Sequence, residues 1–103
     1  MQILLLADDL MPSLKSGEKV CTIREGKRDI RIGTLLFEAV KTGERVKTYV
    51  TKVVHKSLGA LTDEEAQMDG AETAVEMAGA LKRFYPDINL DSDITIVKYY
   101  LSI

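Results

Sequence analysis

The chain has no tryptophan, one cysteine, one histidine and two prolines, and these scarcities exclude whole classes of protein. One cysteine closes no internal disulfide, and a lone histidine beside it supplies no zinc cluster of the usual Cys/His kind. No apolar run approaches the ~20 residues that a bilayer-crossing helix needs. The opening MQILLL is six residues long and runs into Asp8 and Asp9, so it reads as a strand rather than a signal peptide. The expectation is a soluble, cytoplasmic protein with no membrane partner. A formal charge of −2 argues against tight tracking along a nucleic-acid backbone, where affinity comes from many Lys and Arg contacts with phosphates.

What is present belongs to one globular domain spanning residues 1–103. Hydrophobic residues make up 46% and charged residues 29% of the 103 positions, a balance that supports a single core. The charge is segregated along the chain. Residues 15–56 hold eleven of the fourteen Lys and Arg, whereas residues 57–81 hold none and carry six acids. The densest cationic stretch, SGEKVCTIREGKR at 16–28, also holds the only cysteine.

Periodicity and caps predict the elements. Asp9 to Ser16 forms a short helix, with Asp9 as N-cap, Pro12 in its first turn and Gly17 at its C-terminal stop. KVCTIR and TLLFEAV read as strands, and the KTGE turn joins the second to RVKTYVTKVVH as a hairpin over 34–55. Thr62 and Glu65 form a capping box with Leu61 stapled against Ala66, and Thr73 and Glu76 form a second. The second helix places Ala74, Met77, Ala78, Leu81, Phe84 and Tyr85 on its apolar face and stops at Pro86. DITIVKYYLSI is a last strand, expected to close the sheet beside the first, with one of Tyr99 and Tyr100 facing inward.

The run Gly17-Glu18-Lys19-Val20-Cys21-Thr22-Ile23-Arg24, read as G-x-K-x-x-x-x-R, is followed by a hairpin, L-T-D-E-E-A, a helix ending in Y-P and a last strand. In this order the chain resembles the ASCH domain of the PUA-like superfamily over nearly its whole length. In particular it is similar to the small single-domain members that hydrolyse 4-acetylcytidine. The resemblance implies a β-rich α+β fold, a twisted β-barrel of five to six strands with two to three flanking helices and a cleft beneath. It further implies an amidohydrolase acting without a cofactor on an acetylated cytosine nucleoside. Lys19 and Thr22 match two catalytic residues by motif, and Asp69 falls where the family carries a glutamate. The aspartate is one methylene shorter, so Asp69→Glu is expected to keep or raise activity.

The residue types suit that chemistry on independent grounds. A hydroxyl or water attacks an amide only with a base beside it, and Lys19 serves once desolvation or a neighbouring cation makes it neutral. A carboxylate at 69 passes a proton to the leaving amine, and Arg24 or a backbone amide faces the developing oxyanion. Arg24, Lys27, Arg28 and Tyr85 are the candidate substrate-binding residues. A regular strand, however, points Lys19 and Thr22 to opposite faces, so Lys19 must belong to the turn after Gly17 or a bulge must shift the phase. Cys21 is expected in the core, and His55 as a surface or satisfied residue. The alternative is a non-catalytic module that binds RNA or a modified nucleotide in the same cleft, through Arg24, Lys27, Arg28 and Arg31 for phosphate and a tyrosine for stacking.

Overall fold

β-branched and leucine-rich segments separated by glycine turns give five strands, and two acid-rich segments with threonine caps give helices between the fourth and fifth. In a computed structural model that describes residues 1–102, the strands are β1 (Gln2–Leu6), β2 (Cys21–Glu25), β3 (Gly33–Ala39), β4 (Arg45–Ser57) and β5 (Asp93–Leu101). The helices are α1 (Met11–Ser16), α2 (Asp63–Met68) and α3 (Ala74–Leu81), with single 3-10 turns at Asp8–Leu10 and Leu58–Ala60.

All five strands form one sheet in the order β1-β3-β4-β5-β2. β1 lies parallel to β3, and every other pair is antiparallel. The last strand therefore does not lie beside the first. β5 takes both β4 and β2 as neighbours, while β1 docks on β3 after the crossover that a parallel pair requires. The expected hairpin over β3 and β4 is present, turned by Gly43 at a positive φ of 74°.

The sheet is buried on both faces along part of its length. On one face Cys21, Ile23, Ile94 and Ile96 pack against Met77 and Leu81 of α3 and Ala66 of α2. On the other Leu35, Phe37, Val50, Val97 and Tyr99 pack with Leu14 of α1. Cys21 is fully buried, as expected of a core thiol. Tyr99 points inward and Tyr100 outward, as alternation requires.

Helix ends follow the caps with two differences. Asp9 caps nothing with its side chain, because a 3-10 turn over Asp8–Leu10 precedes α1. Gly17 does adopt the left-handed C-terminal conformation, at φ 83°. α3 stops at Leu81, short of Pro86. The following amides of Lys82, Arg83 and Phe84 bond three residues back rather than four, a tightening typical of helix ends. That tighter winding takes Phe84 off the buried face and leaves it 47% exposed.

The capping box at α2 is complete. Thr62 Oγ1 accepts from the Glu65 amide at 3.2 Å, and Glu65 Oε1 accepts from the Thr62 amide at 3.0 Å. Lys56 Nζ donates to the same carboxylate oxygen at 2.9 Å, tying β4 to α2. At Thr73 only the forward half is seen, with Oγ1 accepting from the Glu76 amide. Thr62→Ala is expected to cost about 1 kcal/mol and to lower Tm by about 4–8 °C in a circular-dichroism melt; an unchanged Tm would mean that the box contributes nothing to the fold.

Candidate active site

The site is assembled where the sheet fails to close. β1 and β2 are the two edge strands of a curled half-barrel, and no backbone ladder joins them. Arg24 on β2 spans the gap, with Nη1 donating to the Leu5 carbonyl of β1 at 2.6 Å. Its Nε donates to Thr22 Oγ1 at 2.9 Å. One guanidinium thus stitches the seam and orients a hydroxyl. Thr22 and Arg24 share a face because they are two residues apart on a regular strand. Burial pushes the Arg24 guanidinium down from its usual value, and Arg28 pushes the same way.

Lys19 reaches the same cavity because it lies outside the strand. Gly17 ends α1, the Lys19 amide donates back to the Ser13 carbonyl at 3.0 Å, and β2 begins only at Cys21. The turn after Gly17 thus frees Lys19 from the alternation that would have opposed it to Thr22. Its Nζ donates to the Cys21 carbonyl at 2.9 Å and forms an ion pair with Asp69, at the C-terminal end of α2. The two side chains are only 8% and 10% exposed. Asp69 therefore reaches the lysine directly, and its missing methylene leaves no gap for a water to bridge.

Burial pulls the Lys19 ammonium down to about 8, and the Arg24 charge pulls in the same direction. The Asp69 carboxylate opposes both, since an anion in contact favours the charged form. Cys21, by contrast, is a buried thiol pushed up to about 11, and is no nucleophile at neutral pH.

These groups line a cavity of about 600 Å³. Lys19, Thr22, Arg24, Asp69 and Tyr85 all border it. Lys27 and Arg28 do not, contrary to the sequence expectation. Beyond β2 the chain turns at Gly26, whose amide donates to the Asp93 carbonyl, and Thr95 Oγ1 then accepts from the Arg28 amide at 2.8 Å. The loop is held against β5, while Arg31 pairs with Asp29 in solvent. His55 Nε2 lies 3.0 Å from the Arg28 carbonyl, satisfied outside the cavity.

The sequence reading missed the apolar part of the cavity lining, to which Leu10, Val40, Met77, Leu81 and Phe84 contribute. Phe84 carried a misleading signal, since its helical spacing assigned it to the core. Val40 carried none, because only the curl of the sheet brings the end of β3 to β2. Arg83 was also missed. It pairs with Asp9 at 3.0 Å and lies 4.8 Å over the Phe84 ring.

No protein-family model and no curated protein matches the sequence. Among solved structures, the chain is similar to an ASCH domain from Lactobacillus crispatus, with a TM-score of 0.72 and 13% identity over 94% of this chain and 79% of that one. It is similar to protein EF3133 from Enterococcus faecalis, with a TM-score of 0.72 and 12% identity over 99% and 76%. A variant of the Zymomonas mobilis ASCH protein gives 0.65 and 11% over 94% and 65%. The chain thus has the α+β fold of ASCH domains, a five-stranded curled half-barrel with three helices.

An NMR titration of the lysine side-chain signals tests the ion pair. Lys19 is expected to titrate near pH 8, well below an ordinary lysine near 10.4. Replacing its anionic partner by Asp69→Asn should move that midpoint lower still, because the charged form loses its support. A midpoint that stays put in Asp69→Asn would show that the pair is not formed in solution. The sign for stability is fixed as well. Between pH 8 and 10.5 the unfolded chain holds the proton more tightly, so this group makes the protein more stable as pH rises through that window.

Proposed function

We propose that the cavity hydrolyses the N-acyl bond of an acetylated cytosine nucleoside, converting 4-acetylcytidine to cytidine and acetate. The observation that carries this reading is the pair of hydrogen-bonded couples bordering one cavity, Lys19 with Asp69 and Thr22 with Arg24. Each couple joins a group that holds or moves a proton to a charged partner, as acyl transfer demands.

In this mechanism neutral Lys19 takes the Thr22 hydroxyl proton as Thr22 Oγ1 bonds to the acetyl carbon. Arg24 already donates to that oxygen, which favours the developing alkoxide, and it faces the oxyanion that forms as the carbonyl opens. The carbon–nitrogen bond then breaks, and the exocyclic amine leaves with the proton delivered from Lys19 while Asp69 holds the lysine in place. Water releases the acetyl group from Thr22 by the same steps in reverse order. Tyr85 and Phe84 offer the base an aromatic border.

The alternative of phosphate-directed binding in this cleft is less well supported. Of Arg24, Lys27, Arg28 and Arg31, only Arg24 borders the cavity, and two of its donors are already engaged. A small neutral substrate fits this arrangement better.

Incubation with 4-acetylcytidine, following cytidine release, tests the proposal. Lys19→Ala should lower kcat/KM by ~10²- to 10⁴-fold, and Asp69→Ala, which loses only the lysine's anchor, should lower it by less, provided circular dichroism shows both folded. Thr22→Ala should fall as far and Thr22→Ser recover most of the rate. Because Asp69 already touches Lys19, Asp69→Glu is now expected to lower activity, contrary to the expectation from side-chain length. With neutral Lys19 as the active form, kcat/KM should rise with pH and level off above about 8. A wild-type protein inert toward the nucleoside would overturn the assignment. So would variants that all retain the wild-type rate.

A further inference from the structure

The helices α2 and α3 cover part of one face of the sheet. Ile94, Ile96 and Val54 lie under α2 and α3, but further along β4 and β5 the same face is open. Register places Tyr49 opposite Tyr100 and Lys52 opposite Lys98. In an unbroken strand Tyr49 and Lys52, three residues apart, would point to opposite faces. The irregularity between Val50 and Lys52 inserts one residue and brings Lys52 onto the tyrosine face. Lys47, two residues before Tyr49, lies on this face too.

The result is an ordered patch. Tyr49 and Tyr100 are 39% and 52% exposed, and their rings stack at 5.6 Å with an interplanar angle of 23°. Lys52 and Lys98 lie on one side of the pair and Lys47 on the other, each about 7 Å along the strands. Among the described residues none of these three lysines takes part in an ion pair, whereas Arg45 and Lys56, at the two ends of β4, are paired with Glu38 and Glu65. None of the five residues borders the cavity.

We propose that this face is a second site, a stacking platform for the unpaired bases of a single-stranded nucleic acid. Stacked tyrosines leave their outer ring faces free to extend the stack with a base, and lysines bracketing them meet the phosphates on either side. An acidic peptide would satisfy the lysines but leave the rings unused. A duplex, with its bases already stacked inside, would do the same. Three lysines make a weak, salt-sensitive site, in keeping with the acidic chain as a whole.

The test is fluorescence anisotropy of a labelled eight-nucleotide single-stranded RNA titrated with the intact protein between 50 and 200 mM salt. Binding is expected to weaken with a log–log slope of about −2, from three contacts at roughly −0.7 each. Tyr49→Ala and Tyr100→Ala should each weaken it about 5- to 100-fold, with Tyr100→Phe recovering most of the loss. The doubly substituted Lys52→Gln, Lys98→Gln protein keeps the rings and should flatten the slope to about −0.7. No binding at the lowest salt would overturn the proposal. So would equal binding of a base-free polyanion or anionic vesicles, or affinity that survives both tyrosine substitutions. Loss of binding in Arg24→Ala alone would assign the strand to the cavity instead.

Discussion

A five-stranded sheet that curls without closing leaves two edges facing each other, and the cavity between them follows from how that gap is held. Edge strands expose unpaired backbone groups that ordinarily invite another strand. Here the Leu5 carbonyl of β1 receives a guanidinium proton from Arg24 instead of a backbone amide. A side chain is longer than a backbone hydrogen bond, so the edges stay apart and a cavity remains between them. The same arginine fixes Thr22. The seam of the fold and the orientation of the Thr22 hydroxyl therefore depend on one side chain.

The Lys19–Asp69 pair is hard to explain as a stability device. Removing two charges from water costs several kcal/mol per ion, and a well-packed apolar pair is often as good or better at such a position. This pair also lies on a cavity wall, and it joins the loop after α1 to the end of α2. The lowered lysine midpoint is a consequence of that placement: desolvation disfavours the ammonium, and the nearby Arg24 charge adds to it. A group held near neutrality between its two charge states is costly in a core and useful in a site where protons move.

How far the sequence could be read depended on range. Caps, turns and alternation are local, so the α2 capping box, the β3–β4 hairpin, buried Cys21 and the opposite facing of Tyr99 and Tyr100 were all legible, though not which of the two tyrosines is buried. The position of β5 was not, because strand order is decided by packing between segments far apart in the chain. Phe84 misled for the same reason, since periodicity assumes the helix continues and the chain tightened at Lys82. At the site, the motif spacing brought Lys19, Thr22 and Arg24 into view but offered two ways out of the strand-phase conflict. The Lys19–Ser13 backbone bond, a tertiary detail of the α1 turn, selects one of them.

The cationic stretch of the sequence is divided by the fold rather than gathered. Lys19 is buried against a carboxylate, Arg24 closes the seam, and the Arg28 side chain bonds its own loop at the Glu25 carbonyl. Lys47 and Lys52, within the same Lys- and Arg-rich residues 15–56, are carried by β4 to the opposite face of the sheet. A basic segment is therefore no single anion site. What decides the use of each charge is its surroundings: desolvation and a proton partner in the cavity, and water with an aromatic neighbour on the open face. The first environment shifts a lysine's protonation and suits proton transfer, whereas the second suits reversible, salt-sensitive attraction.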